Sequence, residues 1–172
     1  MPLQNKNHIS IYTDGGCSNN PGPGGYGVII EMDGKREEYF GGFRLTTNNR
    51  MELTAAIIGL QKITGNKNIR LFSDSRYLVD GMEKGWAKTW QSHRWRKADK
   101  SRAVNIDLWQ QLLNLCEQHD VKFVWVEGHS GHPQNERCDK LAMKARGQKN
   151  LPIDPGYELP SSPQQLGFIL EK

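Results

Sequence analysis

Residues 9–14 read Ile9-Ser-Ile-Tyr-Thr-Asp14, and residues 69–74 repeat the same organisation as Ile69-Arg-Leu-Phe-Ser-Asp74. In each stretch an apolar strand pattern ends in a hydroxyl residue followed by aspartate. If the two strands lie parallel and adjacent, their ends are about 4.8 Å apart. Paired divalent ions in phosphotransfer sites lie about 3.5–4 Å apart, so one carboxylate from each strand is placed to share such ions. The repeat therefore predicts a metal-dependent phosphotransfer site.

Two more strands are predicted beside the first. A strand at 26–32 follows a turn rich in glycine and proline, and a strand at 37–45 follows the hairpin signal Asp33-Gly34. These three strands form a predicted antiparallel meander, because short turns join consecutive antiparallel strands.

The remaining pattern predicts a crossover and several helices. Apolar residues at helical spacing indicate a helix that begins with Asn48 or Asn49 as its cap and runs to about residue 64. The strand ending at Asp74 follows, and a strand-helix-strand crossover favours a parallel neighbour for the first strand. Later patterns predict helices at 75–84 and 106–116, a strand at 121–126, and a last helix capped by Asn135 that reaches about residue 148.

Length and composition limit the class of protein. The 172 residues, of which 36% are apolar, fit one domain, and no stretch approaches the roughly 20 apolar residues of a membrane span. The first residues lack the apolar segment of a secretory signal. Three cysteines without Cys-x-x-Cys spacing argue against a disulfide framework or a zinc site. We therefore expect a cytoplasmic protein without membrane contacts, and a monomer.

The charge is distributed unevenly along the chain. Residues 84–102 contain seven Lys or Arg and one acid, so this segment has a net charge of +6. Since the whole chain has a net charge of +4, the remaining residues together carry −2. A basic segment on a slightly acidic body indicates binding of a polyanion, at a distance from an acidic, metal-holding centre.

Five motifs carry a resemblance to a known family. They are Thr13-Asp-Gly-Gly-Cys17, Asn20-Pro-Gly-Pro-Gly-Gly-Tyr-Gly27, Thr46-Thr-Asn-Asn-Arg-Met-Glu-Leu53, Asp74-Ser75 and Gly128-His-Ser-Gly-His-Pro-Gln-Asn-Glu-Arg-Cys-Asp139. With these motifs, in this order, the chain resembles bacterial type 1 ribonuclease H (ribonuclease HI) over about residues 7–146. The resemblance implies a ribonuclease H-like α/β fold: a five-stranded mixed sheet, antiparallel in strands 1–3 and parallel in strands 1, 4 and 5, flanked by helices. It also implies a catalytic domain at 1–148, and the rest, 149–172, is interpreted as a flexible tail.

The activity that the resemblance implies is hydrolysis of the RNA strand of RNA–DNA hybrids, such as primers and R-loops, giving 5′-phosphate and 3′-hydroxyl ends. By similarity, two Mg²⁺ ions, with Mn²⁺ as a substitute, are held by Asp14, Glu52, Asp74 and Asp139. One ion activates the attacking water and the other stabilises the leaving 3′-oxygen. The ligand type agrees, because magnesium prefers hard oxygen ligands. A lone carboxylate is usually a solvated surface group, so the four motif positions together favour the metal site.

His129 is the candidate for proton transfer. It lies in a glycine-rich loop and matches the family's loop histidine, which relays a proton or helps to expel product. The other histidines are interpreted as structural: His8, His93, His119 and His132.

Other motif residues match the family's contacts with the hybrid. The resemblance assigns sensing of the RNA 2′-hydroxyl to Cys17, Asn20, Asn48 and Asn49. A pocket for a phosphate of the DNA strand is assigned to Asn20, Thr47 and Asn105. An alternative for the asparagines is capping and turn formation. Arg76 departs from the family, in which Gln at this position contacts the minor groove.

Residues 84–102 resemble the family's basic protrusion, which we call the handle. Its candidate contacts are aromatic side chains along the DNA backbone and basic side chains that bind phosphates in a salt-dependent manner. These are Trp86, Trp90, Trp95, Arg94, Arg96 and Lys97, with Lys84, Lys88, Lys100 and Arg102 adding charge. The alternative is that the tryptophans anchor the handle and the charges are solvated.

The tail contains one further resemblance. Residues 164–170, Gln164-Gln-Leu-Gly-Phe-Ile-Leu170, are similar to short peptides that bind the bacterial sliding clamp. An apolar terminus can equally fold back onto its own core or stay disordered.

Two other functional classes, a hybrid-binding module and a resolvase or integrase core, fit the sequence less well. A hybrid-binding module without catalysis would lack a metal carboxylate, and none of the four is missing. A Holliday-junction resolvase or integrase core has scattered acids but lacks the combination of Asn48-Asn49 with a Trp-rich handle.

Overall fold

The computed structural model describes residues 8–159. Its strands are β1 (Ile9–Cys17), β2 (Gly22–Met32), β3 (Lys35–Thr46), β4 (Asn68–Ser73) and β5 (Asp120–Trp125). They form one sheet in the order β3-β2-β1-β4-β5, in which β2 pairs antiparallel with both β1 and β3, and β1, β4 and β5 are parallel. This arrangement confirms the predicted mixed sheet.

Helices cover both faces of the sheet. They are α1 (Asn48–Gln61), α2 (Arg76–Glu83), α3 (Trp86–Ser92), α4 (Ile106–Glu117), α5 (Pro133–Arg146) and α6 (Pro155–Glu158). Side chains of β2 alternate between two buried clusters, as the strand period of two requires. Val28 and Ile30 join the larger cluster with α1 and α4, whereas Ile29 packs on the opposite face against Cys138 and Leu141 of α5. None of the helices within residues 8–159 has the length and apolar character needed to cross a bilayer.

The register of β1 and β4 aligns their aspartates. Ile11 pairs with Leu71, and Tyr12 pairs with Phe72, so the two strands run parallel without offset. Asp14 and Asp74 each lie two residues beyond the last of these pairs. The pattern of residues 9–14 and 69–74 therefore predicted correctly that the two strands end side by side.

Two predicted caps were wrong by a few residues. The N-cap of α1 is Thr47, whose Oγ1 accepts the backbone N–H of Arg50, rather than Asn48 or Asn49. α5 begins at Pro133, and Asn135 is buried within its first turn. Proline suits the first helical position because its φ is preset and its missing N–H would have no helical partner there.

The handle is anchored to the body by aromatic side chains. Trp90 packs edge-on against the buried Trp109, with ring centroids 5.9 Å apart, and Trp95 also contacts the core cluster. Trp86 remains 43% exposed. The alternative of anchoring therefore fits Trp90 and Trp95, whereas Trp86 keeps a face for other contacts.

The sequence predicts a flexible tail from residue 149, but part of the segment up to 159 is packed against the body. Arg44 donates its backbone N–H to the carbonyl of Pro152 at 2.9 Å. Asp154 is only 3% exposed, and Arg44 forms a 2.9 Å ion pair with Glu158. The sequence pattern did not predict this packing, because the residues that the segment contacts lie about 110 positions earlier in the chain. The clamp-like stretch 164–170 lies outside the described residues.

Candidate active site

Three carboxylates from three elements meet at one edge of the sheet. Asp14 comes from β1, Glu52 from α1, and Asp74 follows β4 directly. One oxygen from each side chain lies within 4.8 Å of the others. Gly15 makes the approach of α1 possible, because a β-carbon there would collide with the backbone of Met51 and Glu52.

Burial gives this cluster unusual electrostatics. Asp14 and Glu52 are each 8% exposed. Burial, followed by the charges of Asp74 and Asp139, raises the pKa of Asp14 to about 8. Burial and the neighbouring Asp14 also raise the pKa of Glu52 well above its usual value. Both shifts therefore reflect burial and the mutual repulsion of neighbouring carboxylates.

The residues present fit a hard divalent cation. Oε2 of Glu52 is buried and has no hydrogen-bond partner, which is costly for a carboxylate oxygen. The donor set consists of carboxylate oxygens, which magnesium prefers. A bound cation would give Glu52 Oε2 a partner and offset the mutual repulsion of the three acids.

Asp139 and His129 lie around this triad rather than in it. Asp139 is half-buried on α5 and close enough to contribute to the raised pKa of Asp14, but it does not belong to the group of oxygens within 4.8 Å. The loop after β5 passes directly over Asp74, since a β-carbon at Gly128 would collide with its carboxylate. His129 follows in this loop with an exposed side chain and a positive φ of 56°.

A set of hydrogen-bond donors surrounds the first turn of α1. Asn20 Oδ1 accepts the backbone N–H of Asn48 at 3.1 Å. Thr47 Oγ1 accepts the backbone N–H of Arg50 at 3.2 Å, and Asn105 Oδ1 accepts Arg50 Nη1 at 3.4 Å. Because these acceptor oxygens are occupied inside the protein, the side chains of Asn20, Thr47 and Asn105 retain mainly donor hydrogens. Such a set suits an anion.

The other predicted hybrid contacts lie next to this turn. Asn48 is exposed, and its Oδ1 accepts the backbone N–H of Cys17 at 2.8 Å, so it joins the end of β1 to α1. Asn49 is exposed on α1. Burial raises the pKa of the Cys17 thiol to about 11, which argues against a thiolate nucleophile at neutral pH.

Arg76 lies beside the cluster in an arrangement that sequence reasoning missed. Its guanidinium stacks on the ring of Trp125, 3.7 Å from the centroid. Trp125 Nε1 in turn donates to the backbone carbonyl of Asp74 at 3.1 Å. The sequence did contain a signal for this contact. Trp125 ends β5, and because the parallel neighbours β4 and β5 end at the same edge of the sheet, Trp125 lies close to the residues that follow β4.

The handle forms a groove of its own at a separate place. A cavity of about 670 Å³ is lined by aromatic and basic side chains, including Trp86, Trp90, Arg94, Arg96 and Lys97. All three basic side chains are exposed. The structure therefore separates an acidic site from a basic groove, as the charge distribution predicts.

Without a bound cation, the folded protein is expected to lose stability as pH rises from about 4 to about 8. In this range the folded state keeps the Asp14 proton that the unfolded chain, with the ordinary pKa of 3.8, releases. For this carboxyl alone, the loss is at most about 1.4 kcal/mol per pH unit. Asp14→Asn removes the titration and should flatten the profile, so that the variant is the more stable protein at pH 8. Urea unfolding in EDTA at several pH values measures this effect.

Asp33→Asn is the matched control for that comparison, because Asp33 is exposed in the hairpin turn. Parallel pH profiles for wild type and Asp14→Asn would contradict the destabilising burial of Asp14.

Comparison with known proteins points to one family. The family model RNase H matches residues 6–146. Ribonuclease H of Trichodesmium erythraeum is 54% identical over 155 residues, which cover 90% of this chain and 99% of the relative. Ribonuclease H of Desulforamulus reducens is 56% identical over 150 residues, which cover 87% of this chain and 94% of the relative. Among solved structures, the chain is similar to LC9-RNase H1, a type 1 RNase H with the type 2 active-site motif, with a TM-score of 0.73 and 29% identity over 94% of this chain and 84% of the other.

Proposed function

Because the chain belongs to the ribonuclease H family, we propose that it is an endonuclease that hydrolyses the RNA strand of RNA–DNA hybrids, such as primers and R-loops, and leaves 5′-phosphate and 3′-hydroxyl ends. The observation that carries this proposal is the convergence of Asp14, Glu52 and Asp74, with a buried Glu52 oxygen that has no partner. An acidic site of this kind, together with a separate basic groove on the handle, suits metal-dependent cleavage of a nucleic acid.

The acidic cluster would hold two Mg²⁺ ions, with Mn²⁺ as a substitute, and the chemistry that such ions would supply is activation of a water and stabilisation of the leaving 3′-oxygen. Asp14 and Glu52 would supply buried oxygens, Asp74 would supply a half-buried one, and Asp139 would add a carboxylate from α5. The neighbouring backbone is held rigidly by strands β1 and β4 and by the close packing of Gly15 on α1. This rigidity keeps the ligand oxygens in place before substrate binds.

Other residues of the chain position the hybrid and move protons. Asn20, Thr47 and Asn105 direct donor hydrogens towards a phosphate of the DNA strand, and the exposed handle adds basic side chains along the same strand. The proposed sensors of the RNA 2′-hydroxyl are Cys17, Asn20, Asn48 and Asn49. Arg76, held flat on Trp125, contacts the minor groove. His129, exposed in the loop that passes over Asp74, relays a proton or helps to expel product.

The experiment compares three labelled duplexes: an RNA–DNA hybrid, duplex RNA and duplex DNA, each with Mg²⁺ and with EDTA. We expect cleavage of the RNA strand of the hybrid with Mg²⁺ and no cleavage elsewhere, and end-labelling of the products identifies their 5′-phosphates. Hybrid binding without cleavage would indicate a binding module. Cleavage of branched or duplex DNA would indicate a resolvase or integrase-like enzyme.

The same proposal places the enzyme in the cytoplasm as a monomer. Its three cysteines, Cys17, Cys116 and Cys138, are free thiols, which fits a reducing compartment.

A further inference from the structure

Arg50 is a buried cation whose donors are all in use. It is 3% exposed. Nε and Nη2 donate to the two carboxylate oxygens of Asp154 at 2.7 and 3.0 Å. Nη1 and Nη2 donate to Asp107 at 2.9 and 2.7 Å, and Nη1 also donates to Asn105. Because a guanidinium has five N–H groups, none is left for a substrate, and Arg50 acts only inside the protein.

Asp154 reaches this arginine from the segment that follows α5. Its carboxylate also accepts the hydroxyl of Thr46 at 2.7 Å. The chain then passes directly over the ion pairs, because a β-carbon at Gly156 would collide with Asp107 and Arg50. Asp154 therefore joins the end of β3 to the first turn of α1, which carries Arg50.

Arg50 determines how the amide of Asn105 is oriented. Since the guanidinium only donates, the side-chain oxygen of Asn105 must face it. The opposite side of the amide then carries Nδ2, which donates one hydrogen to the hydroxyl of Tyr77 at 3.2 Å. The second Nδ2 hydrogen takes part in neither of these hydrogen bonds, so Asn105 can donate it to an anion. Arg50 also donates its backbone N–H to Thr47, so one residue orients two members of the donor set.

We propose that Asp154 is a positioning residue for hybrid binding, which acts by holding Arg50 so that Asn105 and Thr47 present their donor hydrogens to a phosphate of the DNA strand. This inference rests on the proposed function and extends the functional unit to a segment beyond residue 146, where the family model ends. Asp154 touches neither the acidic cluster nor the substrate. Its effect should therefore appear in binding rather than in the chemical step.

Asp154→Asn tests the proposal, because it keeps the volume of the side chain but turns one carboxylate oxygen into a donor facing the donors of Arg50. We expect the KM for a hybrid to rise about five- to tenfold, with kcat within about twofold of wild type. The log–log slope of affinity against salt should become flatter by nearly one unit, as for the loss of one phosphate contact. Removal of a negative charge by itself would strengthen binding of a polyanion and lower KM. Loss of positioning raises KM, so the direction of the change in KM distinguishes the two effects.

Glu158→Gln is the matched control, because it removes the ion pair with Arg44 from the same segment without touching Arg50. It should leave KM and the salt slope unchanged. Thr46→Val removes one hydrogen bond of Asp154 and should raise KM about two- to threefold, which keeps the test valid if Asp154→Asn does not fold. Thermal melts identify that case.

A lower melting temperature of Asp154→Asn with unchanged KM and salt slope would show a purely structural role and overturn the proposal. If Asp154→Asn does not fold, an unchanged KM in Thr46→Val would also overturn the proposal. Wild type is assayed in parallel: if it does not cleave the hybrid, the proposed function fails, whereas normal wild-type cleavage with unchanged variants rejects only the role of Asp154.

Discussion

Asp14→Asn is expected to lower the rate of hybrid cleavage by about a thousandfold or more. The substitution keeps the shape of the side chain but removes the negative charge and one of the oxygens that meet within 4.8 Å. A metal ion in such a site supplies several kcal/mol of charge stabilisation in the transition state, and each 1.4 kcal/mol corresponds to about tenfold in rate. Because no core volume is lost, the fold and hybrid binding should be retained. Single-turnover cleavage with saturating Mg²⁺ measures the rate, and hybrid affinity in EDTA measures binding.

The exposed Asp33→Asn variant is the control for the same chemical change at the surface, and it should cleave at the wild-type rate. Cleavage by Asp14→Asn within tenfold of wild type would remove Asp14 from the metal site. Loss of hybrid binding together with loss of cleavage would instead indicate that Asp14 acts through the fold.

Replacing Arg94, Arg96 and Lys97 of the handle with Ala is expected to have the largest effect on affinity. If each side chain neutralises one phosphate, the log–log slope of affinity against salt should become flatter by up to about three units. All three are exposed around the groove of the handle, while Trp90 and Trp95 anchor the handle to the core. The substitutions therefore remove charge without removing the anchor. Equilibrium binding of a hybrid at five or more salt concentrations gives the slope.

The matched control removes the same total charge from the end of the sheet opposite the acidic cluster. It replaces Lys35, Lys67 and Lys122, which lie at or near the starts of β3, β4 and β5, with alanine. This control should change the slope much less, because none of these three side chains lines the groove. Equal slopes for the handle variant and wild type would mean that the handle charges are only solvated.

The fold was largely predictable because its signals are local. Alternating apolar residues, the Asp33-Gly34 turn and the crossover rule predicted five strands and the directions of the first four, while the family resemblance supplied the parallel direction of the fifth. The structure confirms all of them. The caps of α1 and α5 were missed by a few residues. Several residues in Thr46-Thr-Asn-Asn49 are able to cap a helix, and only the hydrogen bond from Arg50 to Thr47 distinguishes among them.

The site was predictable in part. The aligned ends of β1 and β4 predicted that Asp14 and Asp74 meet, and the family resemblance assigned Glu52 and Asp139 to the same site. The structure brings Glu52 into the cluster and leaves Asp139 at its border. The stacking of Arg76 on Trp125 was missed, since it joins residues 49 positions apart. Catalytic and binding roles of these residues stay predictions that the experiments above test.

The amino-acid pattern alone determined the directions of the first four strands, the family motifs and the separation of a basic handle from an acidic centre, because each depends on residues close in the chain or on simple charge. Tertiary structure decided the rest: the buried Glu52 oxygen without a partner, the raised pKa of Asp14, and the five occupied donors of Arg50, two of which bind Asp154, 104 residues away. These properties arise from removal of water and from contacts between distant segments. Neither exists until the chain has folded.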